Sequence, residues 1–189
     1  MISYRQARSQ IISGKLSPVY LIFGEEPFLK EELIALLKER FLGKGSVYGY
    51  EKLEGDSVSL PEALARLQHP DLFASRKLLV LDQPPGLVAP RSFREKPKNK
   101  SKNGQDRETD KQWDPLWLFL EQEKASPPSS ILVLLAAAVD RRRRWFKLLD
   151  EQAVVVECAP IKGGELRRWI IHQVEQAGKK IEQEALDLI

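Results

Sequence analysis

The chain has 189 residues, 42% apolar and 30% charged, which suits one full soluble α/β domain with the start of a second. No apolar run approaches the roughly 20 residues that cross a bilayer, and the first ten residues (MISYRQARSQ) hold no apolar signal core. The single cysteine, Cys158, excludes an internal disulfide and fits a reducing cytoplasm.

The net charge of +3 is local. Residues 94–112 (REKPKNKSKNGQDRETDKQ) carry seven basic and four acidic side chains, so the remainder is neutral. The folded body therefore lacks the overall basic excess that drives phosphate-backbone binding.

In chain order, 18–23 (PVYLIF) is a continuous apolar run ending at Gly24 and reads as a buried strand. Phe28, Leu29, Leu33, Ile34, Leu36, Leu37 and Phe41 then recur at helical spacing, with Pro27 suited to the first turn. A second strand is expected over 47–53. Ser59-Leu60-Pro61-Glu62 is a capping-box pattern, and Pro70 must end the helix that it opens. A third strand follows over 77–82 (KLLVLD), then a helix from Asp114-Pro115, a fourth strand over 131–136 (ILVLLA), a helix over 141–149 and a fifth strand over 153–158. Strands alternating with helices imply a parallel sheet. Two stretches break this rhythm. Residues 84–113 contain 19 successive positions without an apolar side chain and are expected to form a mobile insertion. After Pro160 the pattern is purely helical, and the chain stops at Ile189 inside it, as a fragment would.

Three places invite a functional reading. The first strand-to-helix turn sits where a phosphate-binding loop, G-x-x-x-x-G-K-[ST], would sit. It reads Gly24-Glu25-Glu26-Pro27-Phe28-Leu29-Lys30-Glu31. Lys30 keeps the lysine position, but Leu29 replaces the glycine, Glu31 replaces the Mg²⁺-holding hydroxyl and Pro27 removes an N–H donor. Glu25 and Glu26 would repel a triphosphate. An ordinary strand-helix turn with a chance lysine is the plainer reading of these residues, and both readings argue against bound nucleotide. Asp82 ends a strand as a metal-binding aspartate would, yet Gln83 follows where an ATPase places a glutamate, and a turn-capping role suits it better. The second place is Gln68-His69-Pro70-Asp71-Leu72-Phe73. A Leu-Phe pair on so short a turn either folds into the core or projects as an anchor for a partner. The third is Asp140, a good N-cap, followed by Arg141, Arg142, Arg143 and Arg144. Four cations in a first helical turn oppose the helix dipole and call for carboxylate partners or a binding partner. His69, His172 and Cys158 form no metal-ligand pattern, no serine or cysteine has a nucleophile context, and Trp113, Trp117, Trp145 and Trp169 read as core.

Four segments, VYLIFGEEPFLKEELI (19–34), LPEALARLQHPDLFASRKLLVL (60–81), SSILVLLAAAVDRRRRWFKLL (129–149) and ELRRWIIHQVEQAGKKIEQEAL (165–186), together resemble the delta subunit of the bacterial DNA polymerase III clamp loader. The resemblance implies an AAA+-like α/β domain over 1–160, with a five-stranded parallel sheet, an inactive nucleotide site at Gly24 and Lys30, and no cofactor. It also implies the start of a helical lid over 161–189, with the family's C-terminal collar absent. In that family a Leu-Phe pair enters the hydrophobic cleft of the beta sliding clamp. Leu72 and Phe73 occupy that place, Asp71 and Gln68 fit the clamp-binding pattern, and His69-Pro70 departs from it. The implied role is non-catalytic opening of the clamp, beside delta prime and gamma or tau subunits, within a holoenzyme catalogued as a DNA-directed DNA polymerase. Primed DNA would be met only through the complex. The rival readings are an AAA+-type ATPase with a divergent loop and a nucleic-acid-binding protein using 94–112.

Overall fold

The structure is a computed structural model, and it describes residues 1–87, 113–123, 128–176 and 178–187. Most of the expected insertion thus lies outside the described residues. Leu87 and Trp113, which fall within its expected bounds, are instead buried in the core. The chain forms two compact units, 1–158 and 159–189.

The first unit is built on one parallel sheet, in the order β1-β6-β2-β5-β4-β3. Its strands are β1 (Ile2–Ser3), β2 (Val19–Phe23), β3 (Tyr50–Glu54), β4 (Lys77–Asp82), β5 (Ser130–Ala136) and β6 (Val154–Glu157). The sheet has six strands where the sequence pattern predicts five. The extra strand, β1, has only two residues and pairs with β6 through Ile2–Val156 and Ser3–Glu157. Two residues are too few to show an alternating or continuous apolar pattern.

The central strands β2, β5 and β4 are buried on both faces, as their unbroken apolar runs require. Alternate residues divide between two helical layers. Val19, Leu21, Phe23, Leu79, Leu81, Leu132, Leu134 and Val155 join one large cluster with α3 (Leu60–Gln68), α4 (Asp114–Gln122) and α5 (Arg144–Gln152). The other face is covered by α1 (Tyr4–Ile12) and α2 (Pro27–Leu42). In α2, Leu29, Leu33, Leu37 and Phe41 make a stripe at four-residue spacing and are all buried. Helix α1 has no counterpart among the expected elements. Ser3 caps it, and Ser3 and Gln6 exchange the two bonds of a full capping box. Only Tyr4, Ala7 and Ile11 are buried along it, which leaves a thin apolar signal.

Two local expectations are corrected. The second strand begins at Tyr50 rather than Val47, because Gly45 and Gly49 hold positive φ (76° and 82°) and keep the preceding residues in a loop. Helix α5 begins at Arg144, so Asp140 is not its N-cap. Asp140 instead accepts from the Arg142 backbone N–H and from its guanidinium, at 3.1 and 3.0 Å. Three of the four arginines thereby stay out of the unfavourable first turn. Trp113 and Trp145 stack in the core with ring centroids 4.8 Å apart.

The second unit holds α6 (Gly164–Gln176) and α7 (Gln183–Asp187). Arg167 pairs with Asp187 at 3.2 Å, and Leu186 is buried. Among the described residues no helix is long and apolar enough to cross a membrane.

Candidate functional site

In a parallel sheet every strand ends at the same edge. The turn after β2 lies at the carboxyl edge, next to the β5 and β6 ends, where the strand order reverses and open α/β folds bind ligands. In this protein the turn is closed on itself. The Gly24 N–H donates to the Ala136 carbonyl and the Glu26 N–H to the Cys158 carbonyl, both at 3.3 Å. Pro27 has no N–H to offer. The Lys30 ammonium donates to the Gly24 carbonyl at 2.8 Å. Gly24 is at φ 132°, and a Cβ there would stand 2.2 Å from the Cys158 carbonyl oxygen, so only glycine fits. The Gly24 and Glu26 N–H groups are thus directed at neighbouring segments of the fold. The Lys30 head that would reach the phosphates is bonded inward.

The surroundings follow the same pattern. Cys158 is fully buried, and that burial pushes its thiol up to about 12, so it stays protonated and unreactive at neutral pH. Arg141 pairs with Glu157 and lies over the Phe23 ring. Asp82 forms an ion pair with Lys52 at 2.9 Å, and this hydrogen bond is the main cause that raises the Lys52 pKa. The Asp82 carbonyl receives the Gly55 N–H at 2.7 Å, so the residue does tie down a turn.

The Leu-Phe turn precedes β4 and therefore lies at the opposite, amino edge of the sheet. Its path follows from the residues around it. Ser59 accepts the Glu62 N–H at the start of α3, and Leu60, Ala63, Leu64 and Leu67 bury one face. His69 is forced extended (φ −66°, ψ 131°) by the proline after it, which ends the helix. The Asp71 carboxylate then accepts the Phe73 N–H at 2.9 Å, closing a local turn. Lys77 donates to the Arg66 and His69 carbonyls at the α3 end. Gln68 bonds Gln122 at 2.8 Å, tying α3 to α4 beside the turn.

These bonds fix the backbone while the two apolar side chains point outward. Leu72 is 94% exposed and Phe73 74%. Gln68, Asp71, Leu72 and Phe73 are thus brought together at one turn, where Asp71 and Gln68 hold it and Leu72 and Phe73 project. Gly24 and Lys30 form a separate site at the other sheet edge. Sequence reasoning misses Val47 and Tyr48 as surface residues, because it places them in a strand. They are exposed, and Tyr48 stacks on Phe73 with centroids 5.7 Å apart and an interplanar angle of 27°. The signal that could have found them is the glycine spacing at 43, 45 and 49.

Among solved structures, the Bacillus subtilis DNA clamp loader delta protein is similar over 97% of this chain and 50% of its own length, with 18% identity and a TM-score of 0.64. The chain therefore spans half the length of that protein. A Thermotoga maritima DNA polymerase III gamma subunit-related protein is similar over 94% of this chain and 54% of its own, with 11% identity and a TM-score of 0.41. No curated protein matches the sequence. The family model described as DNA polymerase III, delta subunit, matches residues 20–159 and so takes in β3 to β6, all of β2 but Val19, and both turns. The chain belongs to the DNA polymerase III delta subunit family.

Proposed function

We propose that this chain is the clamp-gripping part of a clamp-loader delta subunit, that it binds and opens the ring-shaped beta sliding clamp, and that it hydrolyses no ATP. The observation that carries the reading is the joint exposure of Leu72 and Phe73 on a turn whose backbone is held from inside. Exposed apolar pairs of this size on a fixed scaffold are anchors for a partner pocket, and burying each is worth about 1.5–3 kcal/mol. The two side chains enter an apolar cleft of the clamp. Neighbouring surface then favours a clamp conformation with one interface sprung, and only a higher affinity for that open form can shift the equilibrium. Asp71 and Gln68 act through the turn and not through the cleft.

The closed turn at Gly24 and Lys30 supports the second half of the reading. A triphosphate would have to displace the Lys30–Gly24 bond and face Glu25 and Glu26. ATP turnover then falls to other subunits, of the delta prime and gamma or tau classes, and primed DNA is reached through the assembly. The test is surface plasmon resonance on immobilised sliding clamp. Wild-type protein should bind saturably, and replacing Leu72 and Phe73 together by Ala should weaken binding about 100-fold to several-thousand-fold. Unchanged affinity would refute the anchor. Calorimetry at millimolar ATP should show no saturable isotherm, and one that vanishes in Lys30→Ala would refute the inactive nucleotide site.

A further inference from the structure

The Leu-Phe turn has a companion. The loop 43–49 between α2 and β3 lies at the same amino edge of the sheet and is tied to the segment 74–76 at both of its ends. At its start, the Arg76 guanidinium donates to the Phe41 carbonyl at 3.1 Å and sits 5.6 Å from the centre of the Phe41 ring. At its end, the Gly49 backbone lies so close to the Arg76 carbonyl oxygen that an added Cβ would stand 2.3 Å from it. The Gly49 carbonyl also accepts the Leu78 N–H at 2.7 Å. Within the loop, Ser46 donates to the Tyr48 carbonyl at 3.1 Å. A loop pinned in this way presents Val47 at 82% and Tyr48 at 61% exposure, with the Tyr48 ring stacked on Phe73.

We propose that Tyr48 is a positioning residue for Phe73, and that Val47 and Tyr48 extend the clamp-facing surface from one turn to two loops. This inference rests on the reading of Leu72 and Phe73 as the clamp anchor. The physical reason is preorganisation. A phenylalanine alone on an exposed turn samples several χ1 rotamers and must give them up on binding. A ring already stacked against Tyr48 has given up part of that freedom in the free protein. The stacked Tyr48 and Phe73 join the two loops, each of which also exposes a neighbouring apolar residue, Val47 or Leu72, and such a grouping marks an interaction surface better than single exposed residues do. Its occupant is the same clamp, because the grouping includes the anchor at Phe73.

The test measures clamp affinity for Tyr48→Ala, Tyr48→Phe, Phe73→Ala and the double variant Tyr48→Ala/Phe73→Ala. Aromatic pairing predicts that Tyr48→Ala weakens binding about 3- to 10-fold and that Tyr48→Phe stays within about 2-fold of wild type. In the Phe73→Ala background the Tyr48→Ala loss should shrink, because the ring that it positions is gone. The urea midpoint of Tyr48→Ala should match wild type, since the side chain is exposed. Wild-type affinity for Tyr48→Ala beside a clear loss in Phe73→Ala overturns the inference and leaves the anchor standing. Equal Tyr48→Ala losses in both backgrounds overturn the positioning role. Wild-type affinity for Phe73→Ala overturns the anchor itself.

Discussion

The two edges of the sheet use similar turns to opposite ends. At the carboxyl edge, the turn after β2 directs its donors inward: Gly24 to Ala136, Glu26 to Cys158, and Lys30 to Gly24. At the amino edge, the turn before β4 satisfies its backbone through Asp71 and Lys77 but leaves Leu72 and Phe73 in water. One turn keeps its polar groups bonded within the fold, and the other exposes apolar side chains outside the core. The turn at the carboxyl edge is tied up in its own hydrogen bonds, and the exposed Leu72 and Phe73 lie about a strand length away, on the order of 20 Å for six residues.

The largest expected effect on stability is at the closed turn. Gly24→Ala puts a Cβ into the Cys158 carbonyl at a positive φ and should cost about 2–4 kcal/mol by urea unfolding. A cost below about 0.5 kcal/mol would show that the turn is looser than its geometry. Next comes alkaline pH. Burial holds Cys158 at about 12 against its ordinary 9.0, and Tyr20 at about 12 against 10.0. Both groups ionise more readily in the unfolded chain, so stability is fully present below about pH 9 and falls as pH rises toward 12. Urea midpoints measured across that window should decline, and a thiol reagent at pH 8 should label Cys158 only in denaturant. A flat midpoint with rapid native labelling would contradict this burial. Lys30→Ala removes one hydrogen bond and should cost about 0.5–1.5 kcal/mol. The smallest effects belong to the open turn: Leu72→Ala and Phe73→Ala should each change stability by less than about 0.5 kcal/mol, because no cavity forms.

Much of this is legible in the sequence for definite reasons. The strands β2, β4 and β5 are unbroken apolar runs bounded by glycine, proline or charge, and runs of that length between such breakers suit a strand covered on both faces. The departure of residues 24–31 from the phosphate-binding pattern is visible in Leu29, Glu31 and Pro27. Whether Leu72 and Phe73 face in or out is not visible, because a short turn after a proline permits both. The difference lies in the Asp71–Phe73 and Lys77–His69 bonds, which only the folded chain brings together. The pairing of Tyr48 with Phe73 joins positions 25 residues apart and leaves no local signal. The edge strand β1 escapes because two residues carry no period, and the α5 start because Asp140 has a closer partner in Arg142 than any helical N–H.

On the proposed reading, Leu72 and Phe73 serve a partner and not the fold. That reading is tested most directly by measuring clamp affinity and urea unfolding on one double variant, Leu72→Ala/Phe73→Ala. The predicted result is a split: affinity falls by roughly 3–5 kcal/mol while stability changes by less than about 1 kcal/mol. The contradicting result is the reverse, with clamp affinity retained or with stability lost by several kcal/mol as a core cavity would require.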